Sequence, residues 1–358
     1  MNIYCPHCRG LAELPLEEGD CPHCDRTLAG SGVTCCNLTS IYWGEVPQEL
    51  MVEINATARQ CGWNAALIAK LQPTYPDIYR YVVDSSRADW HFSLPVDRLS
   101  STVLDIGSGW GILSFSLANF FHEVVSLEAV QERIEFQSIR RTQDGATNIR
   151  LVRANLIDEP FETKPQFDAI AMNGVLEWLG LSDFSRNPGV VQLDALRYTQ
   201  RLLKPGGALY VGIENRTGGN MFLGTKDHTD LRFTSLMPRR LASLYMKFLN
   251  RKEFSASKRT DRGLNEYRTY TYTYWGYMDL LRRAGFERIE IHLVLPTYSW
   301  PKYVIPLKSN AALSYFFRNF SSAESWKDKV IVEFGRLAHM FRLTKLFAPD
   351  FLIIARKP

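Results

Sequence analysis

Between Val103 and Ser114 the chain reads VLDIGSGWGILS, with three glycines inside five residues directly after a run of β-forming side chains. Val103, Leu104 and Ile106 have the pattern of a buried strand, and Leu113, Leu117 and Phe121 continue at helical spacing. A strand that passes through a glycine turn into a helix opens a βαβ unit and leaves bare backbone for a ligand to approach. At 358 residues and 46% hydrophobic content, the chain can bury one large core or two modest ones around such a unit. No apolar run approaches the ~20 residues of a membrane helix. The N-terminus MNIYCPHC lacks the charged and apolar regions of a secretion signal, so a cytoplasmic protein is expected.

Two ligand classes use this turn: dinucleotides, whose pyrophosphate sits on the helix N-terminus, and S-adenosylmethionine, which has no phosphate. Asp105 separates them, because a carboxylate at the mouth of the strand repels pyrophosphate and favours the ammonium of S-adenosylmethionine. The spacing is also GxGxG, not GxGxxG. Glu128, ending the strand-like VVSLEA, supplies the acid that binds ribose hydroxyls. Three further blocks follow in order: NIRLVRANLID with Asn155 and Asp158, FDAIAMNGVLEW, and LLKPGGALYVGIENR, which delivers Glu214, Asn215 and Arg216 to the same edge.

With these four blocks in register, the sequence from about Ser100 to Phe286 resembles the class I S-adenosylmethionine-dependent methyltransferases. The resemblance implies a Rossmann-like seven-stranded α/β sheet with strand 7 antiparallel. RIEIHLVLP then reads as strand 6 and DFLIIARKP as strand 7, leaving insertions at about 216–266 and 301–348, the second mostly helical. It also implies that Asp105, Gly107, Ser108, Gly109, Gly111, Glu128, Asn155 and Asn173 bind the cofactor. Asn155 departs from the acid common in the family after strand 3, but its amide oxygen can accept the same adenine hydrogen bond. From about Val46 to Asp97 the pattern is helical, and in this family such helices cover the cofactor, so residues 31–98 read as an N-terminal helical cap and Tyr75, Tyr79 and Trp90 as either core or site residues.

Cys5, Cys8, Cys21 and Cys24 form two CPHC turns twelve residues apart. Paired knuckles of this spacing make a tetrahedral four-thiolate site for structural zinc, with no open position for catalysis. Residues 1–30 are too few for a core of their own, so metal would supply most of their folding free energy. Cys35, Cys36 and Cys61 read as packed small hydrophobes.

Catalytic groups should follow strands 4 and 5. NGVL after strand 4 is not the polar-Pro-Pro-aromatic motif of the family's nitrogen methylators, although Glu177 and Trp178 lie there. After strand 5 a glycine-rich loop gathers Asp227, His228 and Asp230. His228 is the candidate general base, with Asp227 and Glu214 beside it, and a pKa suited to hydroxyl deprotonation near neutrality. The same three loop residues could instead ligate a divalent ion or be solvated. Tyr270, Tyr272 and Tyr274 alternate as on one strand face, for stacking or for packing.

Net charge is only +4, but Arg239 to Arg262 holds eight Lys or Arg against two acids, either a solvated face or a surface that meets an anion. The leading expectation is O-methylation of a small or carrier-linked acceptor such as a sugar, lipid-linked or natural-product intermediate, one that could bear phosphate. The alternatives are an RNA or protein methyltransferase that grips a macromolecule through the ribbon and basic insertion, and a cofactor-binding or partner-binding module without catalysis.

Overall fold

The chain begins with short antiparallel pairs, β1 (Asn2–Tyr4) with β2 (Leu11–Glu13), then β3 (Gly19–Asp20) with β4 (Thr27–Gly30), and β4 in turn with β5 (Val33–Cys35). The structure, a computed structural model, describes all residues except 14–18, 31, 37–41, 95, 250–265 and 320–325. Helices α1 (Gln48–Cys61), α2 (Trp63–Ala66) and α3 (Pro76–Val83), joined by a π turn at Leu67–Leu71 and followed by a 3-10 segment at Ser85–Ser93, form the cap.

The remaining elements alternate. They are β6 (Thr102–Ile106), α4 (Ile112–Ala118), β7 (Glu123–Glu128), α5 (Gln131–Asp144), β8 (Ile149–Arg153), β9 (Phe167–Asn173), α6 (Pro188–Leu202) and β10 (Leu203–Glu214). After β10 come α7 (Gly219–Phe222), α8 (Arg239–Phe248), α9 (Tyr274–Arg283), β11 (Glu287–Thr297), β12 (Trp300–Pro306), α10 (Asn310–Asn319), α11 (Trp326–Met340), α12 (Thr344–Phe347) and β13 (Asp350–Arg356).

One sheet runs in the order β12-β11-β13-β10-β9-β6-β7-β8-β5-β4-β3. Strands β8, β7, β6, β9 and β10 are parallel, and β13 inserts antiparallel between β10 and β11. The expected seven-stranded sheet is therefore present, with strand 7 lying between strands 5 and 6. Period-two alternation divides its residues between two cores. Leu209, Val211 and Ile213 of β10 join α6 and α9 on one face, while Ala208 and Tyr210 join α4 and Trp90 on the other. Trp90 is stacked on Tyr210 at 4.2 Å, which makes it a core residue. Tyr75 and Tyr79 are partly buried against the cap core of Met51, Ile54 and Phe136.

Two expectations need correcting. The ribbon does not stop at residue 30: the β4–β5 hairpin spans that boundary and β5 pairs in parallel with β8, extending the main sheet. Ile3, Ala12 and Leu28 also bury into the main core beside Phe161, so the ribbon draws on apolar burial as well as on its thiol cluster. The second insertion holds α10, α11 and α12, preceded by the strand β12, with which β11 forms a hairpin. The Tyr/Thr alternation forms no sheet strand; it makes a single bridge, Asn215 to Tyr272, and Thr273 then caps α9 through Gly276 N–H at 3.2 Å. No helix among the described residues is long and apolar enough to cross a membrane.

Candidate active site: two cavities meeting at Trp178

Parallel order reverses at β6, whose neighbours are β7 and β9, so a crevice opens at the carboxyl ends of β6 and β9. Gly107 and Gly109 carry φ of +63° and +58°, a left-handed backbone that L side chains resist. A Cβ on Gly107 would stand 2.7 Å from Val175 Cγ2. The turn is held from behind: Glu128 accepts from Gly109 N–H at 2.7 Å and Val130 N–H at 2.9 Å, and Gln137 donates to Ser108 Oγ and Gly109 O while accepting from Ser126. Every polar group in this scaffold has a partner, which fixes the backbone before any ligand arrives.

The first cavity, about 220 Å³, is lined by Gly107, Gly109, Glu128, Asn155, Asn173 and Trp178, with Trp43, Glu45 and Tyr81 from the cap side. Glu45 pairs with Arg133 and accepts from Trp110 Nε1 at 3.2 Å, closing that wall. Trp43 stands edge-on to Trp178 at 5.5 Å. Sequence reading overlooked Trp43 and Glu45; the only signal was an aromatic and an acid just before the first cap helix.

Asp105 is placed differently from the rest of its group. It lies on the deep side of the turn, in a small pocket of about 10 Å³ with Arg87, Ser108 and Asn173, and accepts from Ser114 Oγ at 2.6 Å. Burial pushes its carboxyl up to about 7. Asn173 accepts from Tyr210 OH, and its Nδ2 is buried with no hydrogen-bond partner, an unmet donor where both pockets meet. Asn155 uses its side-chain oxygen to cap the turn Leu156–Asp158, 3.4 Å from Ile157 N. The free donor on Asn173, the open backbone of Gly107 and the acid Glu128 at its strand end suit a ligand that carries a carboxylate and a ribose, as S-adenosylmethionine does.

Across Trp178 lies a second cavity, about 420 Å³, lined by Glu214, Asn220, Asp227, His228, Tyr267 and Asp350 among others. His228 Nε2 is 3.3 Å from Glu214 Oε2, and its ring lies 4.3 Å from the Trp178 ring. Glu214 also accepts from Tyr298 OH at 3.0 Å, and its backbone carbonyl accepts from Tyr277 OH at 3.0 Å. Glu177 is fully buried beside this pair, and neither of its carboxylate oxygens has a hydrogen-bond partner. Ligand atoms of Glu177, Glu214 and His228 all lie within 4.8 Å of one another.

These charges set each other's protonation. Burial raises the Glu177 carboxyl to about 8, with the Glu214 charge adding to it. Burial opposes the His228 imidazolium, but the neighbouring Glu214 carboxylate prevails and lifts it to about 9. Glu214 is correspondingly held below the ordinary range by that imidazolium, despite its burial. The expectation of a histidine poised near neutrality is thus corrected: Glu214 above all, then Glu177 and Asp227, hold its proton.

Asp227 and Asp230 do not join His228 as ligands. Asp227 folds its loop, accepting from Thr229 N–H at 2.9 Å, Thr229 Oγ1 at 2.6 Å and Thr234 Oγ1 at 2.5 Å. Asp230 is exposed and pairs with Lys226 at 2.9 Å. Adjacency along the chain brought them to notice, and the turn sends them elsewhere.

In the ribbon, Cys5 Sγ is 3.8 Å from Cys24 Sγ and Cys8 Sγ is 3.6 Å from Cys21 Sγ. Backbone N–H groups of His7, Gly10 and His23 each point at a sulfur from 3.4 Å, an arrangement that supports thiolates. His23 bonds Leu11 O at 2.9 Å and His7 bonds Arg26 at 3.1 Å, and the ligand atoms close enough to share one ion there are the four sulfurs.

Comparison with known proteins bears on the same region. Residues 104–211 match the family model described as a methyltransferase domain. A ubiquinone biosynthesis O-methyltransferase of Xylella fastidiosa is 30% identical over 148 residues, 40% of this chain and 54% of that protein. The human mitochondrial protein of the same name is 28% identical over 129 residues, 35% of this chain and 32% of that one. The chain thus spans about half the length, or less, of these curated relatives. Among solved structures, a Thermotoga maritima protein described as a possible histamine N-methyltransferase aligns with a TM-score of 0.42 at 15% identity, over 80% of this chain and 96% of that one. With its sheet order, its glycine turn and this family match, the chain carries a class I S-adenosylmethionine-dependent methyltransferase domain.

Proposed function

We propose that the protein transfers a methyl group from S-adenosylmethionine to a hydroxyl of a small or carrier-linked acceptor. The observation that carries this reading is the Glu214–His228 pair across Trp178 from the glycine-turn cavity. When bound, the cofactor supplies an electrophilic methyl on a good leaving group, so the protein's own work is alignment and proton removal. Trp178 lines both cavities and would fix where donor and acceptor meet. Glu214 orients His228 through Nε2, and Tyr298 and Tyr277 anchor Glu214 on its other side. Once its proton leaves, His228 accepts the acceptor's hydroxyl proton, and the surrounding carboxylates stabilise the imidazolium that forms.

A second reading rests on Glu177, whose unpartnered buried carboxylate suits a divalent cation shared with Glu214 and His228. Such an ion would hold an acceptor oxygen and lower its pKa. Activity that disappears on chelation and returns with Mg²⁺ or Mn²⁺ favours this version; activity indifferent to chelators favours the histidine base. In the ribbon the four thiols suit structural zinc, expected at one ion per chain by elemental analysis of the purified protein.

The test is transfer of labelled methyl from S-adenosylmethionine to fractionated cell extract. Label in the small-molecule or lipid fraction upholds the proposal and isolates the acceptor. Label confined to RNA or protein overturns it in favour of a macromolecular substrate, and cofactor binding without label in any fraction favours a non-catalytic module.

A further inference from the structure

Beyond the acceptor cavity, on the far side of Tyr267, lies an open groove of about 590 Å³ between the segment Phe184–Pro188 and helix α8. Tyr267 lines both spaces, so a molecule long enough to pass this ring can occupy the two together. The groove walls carry Arg186, Arg239, Arg240, Lys247 and Arg268 against one acid, Glu266.

These cations differ in what they already hold. Arg268 is buried and spent on structure, donating to the backbone carbonyls of Gly180, Asp183 and Arg186. Arg186 is paired with Asp183 at 2.6 Å and Asp194 at 3.2 Å. Arg239 is stacked 3.6 Å over the Tyr270 ring and 4.7 Å from Tyr272, which fixes its plane without using a carboxylate. Arg240 and Lys247 are exposed, and among the described residues neither has a carboxylate partner. On the helix Arg239, Arg240, Ser243 and Lys247 share one face, so three cations converge on the groove. A pre-oriented guanidinium beside two unpaired cations is a recognition surface for phosphate.

We propose that this groove is a phosphate subsite, which holds the phosphate or pyrophosphate of a carrier-linked acceptor while the acceptor's hydroxyl reaches the cavity of His228. The inference rests on the methyl-transfer reading for the second half of that sentence only. Two carriers share the chemistry, a nucleoside diphosphate and a lipid phosphate. α8 bears on both, because Leu241, Leu244 and Phe248, at i, i+3 and i+7, are 51%, 61% and 86% exposed next to the basic face.

The experiment is calorimetric titration of the full-length protein with inorganic pyrophosphate and with UDP, repeated on the double variant Arg240→Gln and Lys247→Gln. Flotation with phosphatidylcholine vesicles, with and without phosphatidylglycerol, is run in parallel. Pyrophosphate should bind the wild type, and the double variant should bind it at least about tenfold more weakly while S-adenosylmethionine affinity stays unchanged. Tighter binding of UDP than of pyrophosphate, without vesicle binding, upholds the subsite as nucleotide-borne. Pyrophosphate binding together with flotation on anionic vesicles only, lost both in Phe248→Ser and in the double variant, upholds it as lipid-borne. Equal pyrophosphate affinity in wild type and double variant, or no heat above a chloride control of equal ionic strength, overturns it. Retention of RNA without any pyrophosphate binding also overturns it, in favour of a nucleic-acid surface. Failure of S-adenosylmethionine to bind would count against the methyltransferase reading alone, since the phosphate titration does not depend on it.

Discussion

The two cavities that meet at Trp178 are built on opposite principles. On the glycine-turn side, Glu128 and Gln137 spend their polar atoms on backbone and neighbouring side chains, and the turn is rigid before a ligand comes. On the His228 side, neither carboxylate oxygen of Glu177 has a hydrogen-bond partner, and the imidazolium is held by Glu214, Glu177 and Asp227, with Asp350, whose carboxyl burial raises to about 7, lining the same cavity. The first arrangement suits a ligand of fixed shape, met by backbone geometry. The second stores unsatisfied charge, which costs stability and is retained where it can act on a substrate or ion.

That contrast can be broken at several points. The largest effect is expected on the acceptor side: His228→Ala should cut kcat about 1000-fold, with S-adenosylmethionine affinity within about twofold of wild type by calorimetry. A comparable loss of affinity would mean that the two cavities are not separate in function. Next comes Gly107→Val, which forces a β-branched residue to φ +63° against Val175. Cofactor affinity should fall about 100-fold, while any kcat measured at saturating cofactor changes little.

The pH profile sharpens the comparison further. His228 and Glu177 retain protons up to about 9 and about 8, and a base must lose its proton to work. kcat/KM should therefore climb about tenfold per unit below pH ~8 and level off near pH ~9. A profile already flat at pH 7 would exclude His228 as the base. Glu177→Gln removes one of the charges that hold the imidazolium, so it should move the limb toward lower pH.

The smallest change is expected for Ser114→Ala. Without the 2.6 Å hydrogen bond, the Asp105 carboxyl, already raised by burial, protonates still more readily, and cofactor affinity at pH 7 should weaken about threefold. An effect on turnover instead would place Asp105 in the chemistry.

How far the sequence reaches follows the same division. The glycine turn, Glu128 and the strand order were legible because each depends on contiguous residues: a run of β-formers, a left-handed turn that needs glycine, an acid closing the next strand. The ribbon's thiols were legible for the same reason, since knuckle spacing is local, whereas its pairing with β8 and its burial on Phe161 were not. In the cavity of His228 adjacency misled. Asp227 neighbours His228 in sequence yet spends its oxygens on Thr229 and Thr234, while Glu177, Glu214 and Asp350 reach the cavity of His228 from three other segments.

Taken alone, the sequence determined the class of fold and the place of the glycine turn, and it picked out the loop that carries His228, because hydrophobic periodicity and backbone conformational preference act over a few residues at a time. Only the tertiary structure decided which carboxylates surround His228, that its proton is held to about 9 instead of near neutrality, and that Trp178 stands between two cavities. Burial and Coulomb interaction depend on distance in space, and the residues concerned, Glu177, Glu214, His228 and Asp350, come together only when β9, β10 and β13 align in one sheet.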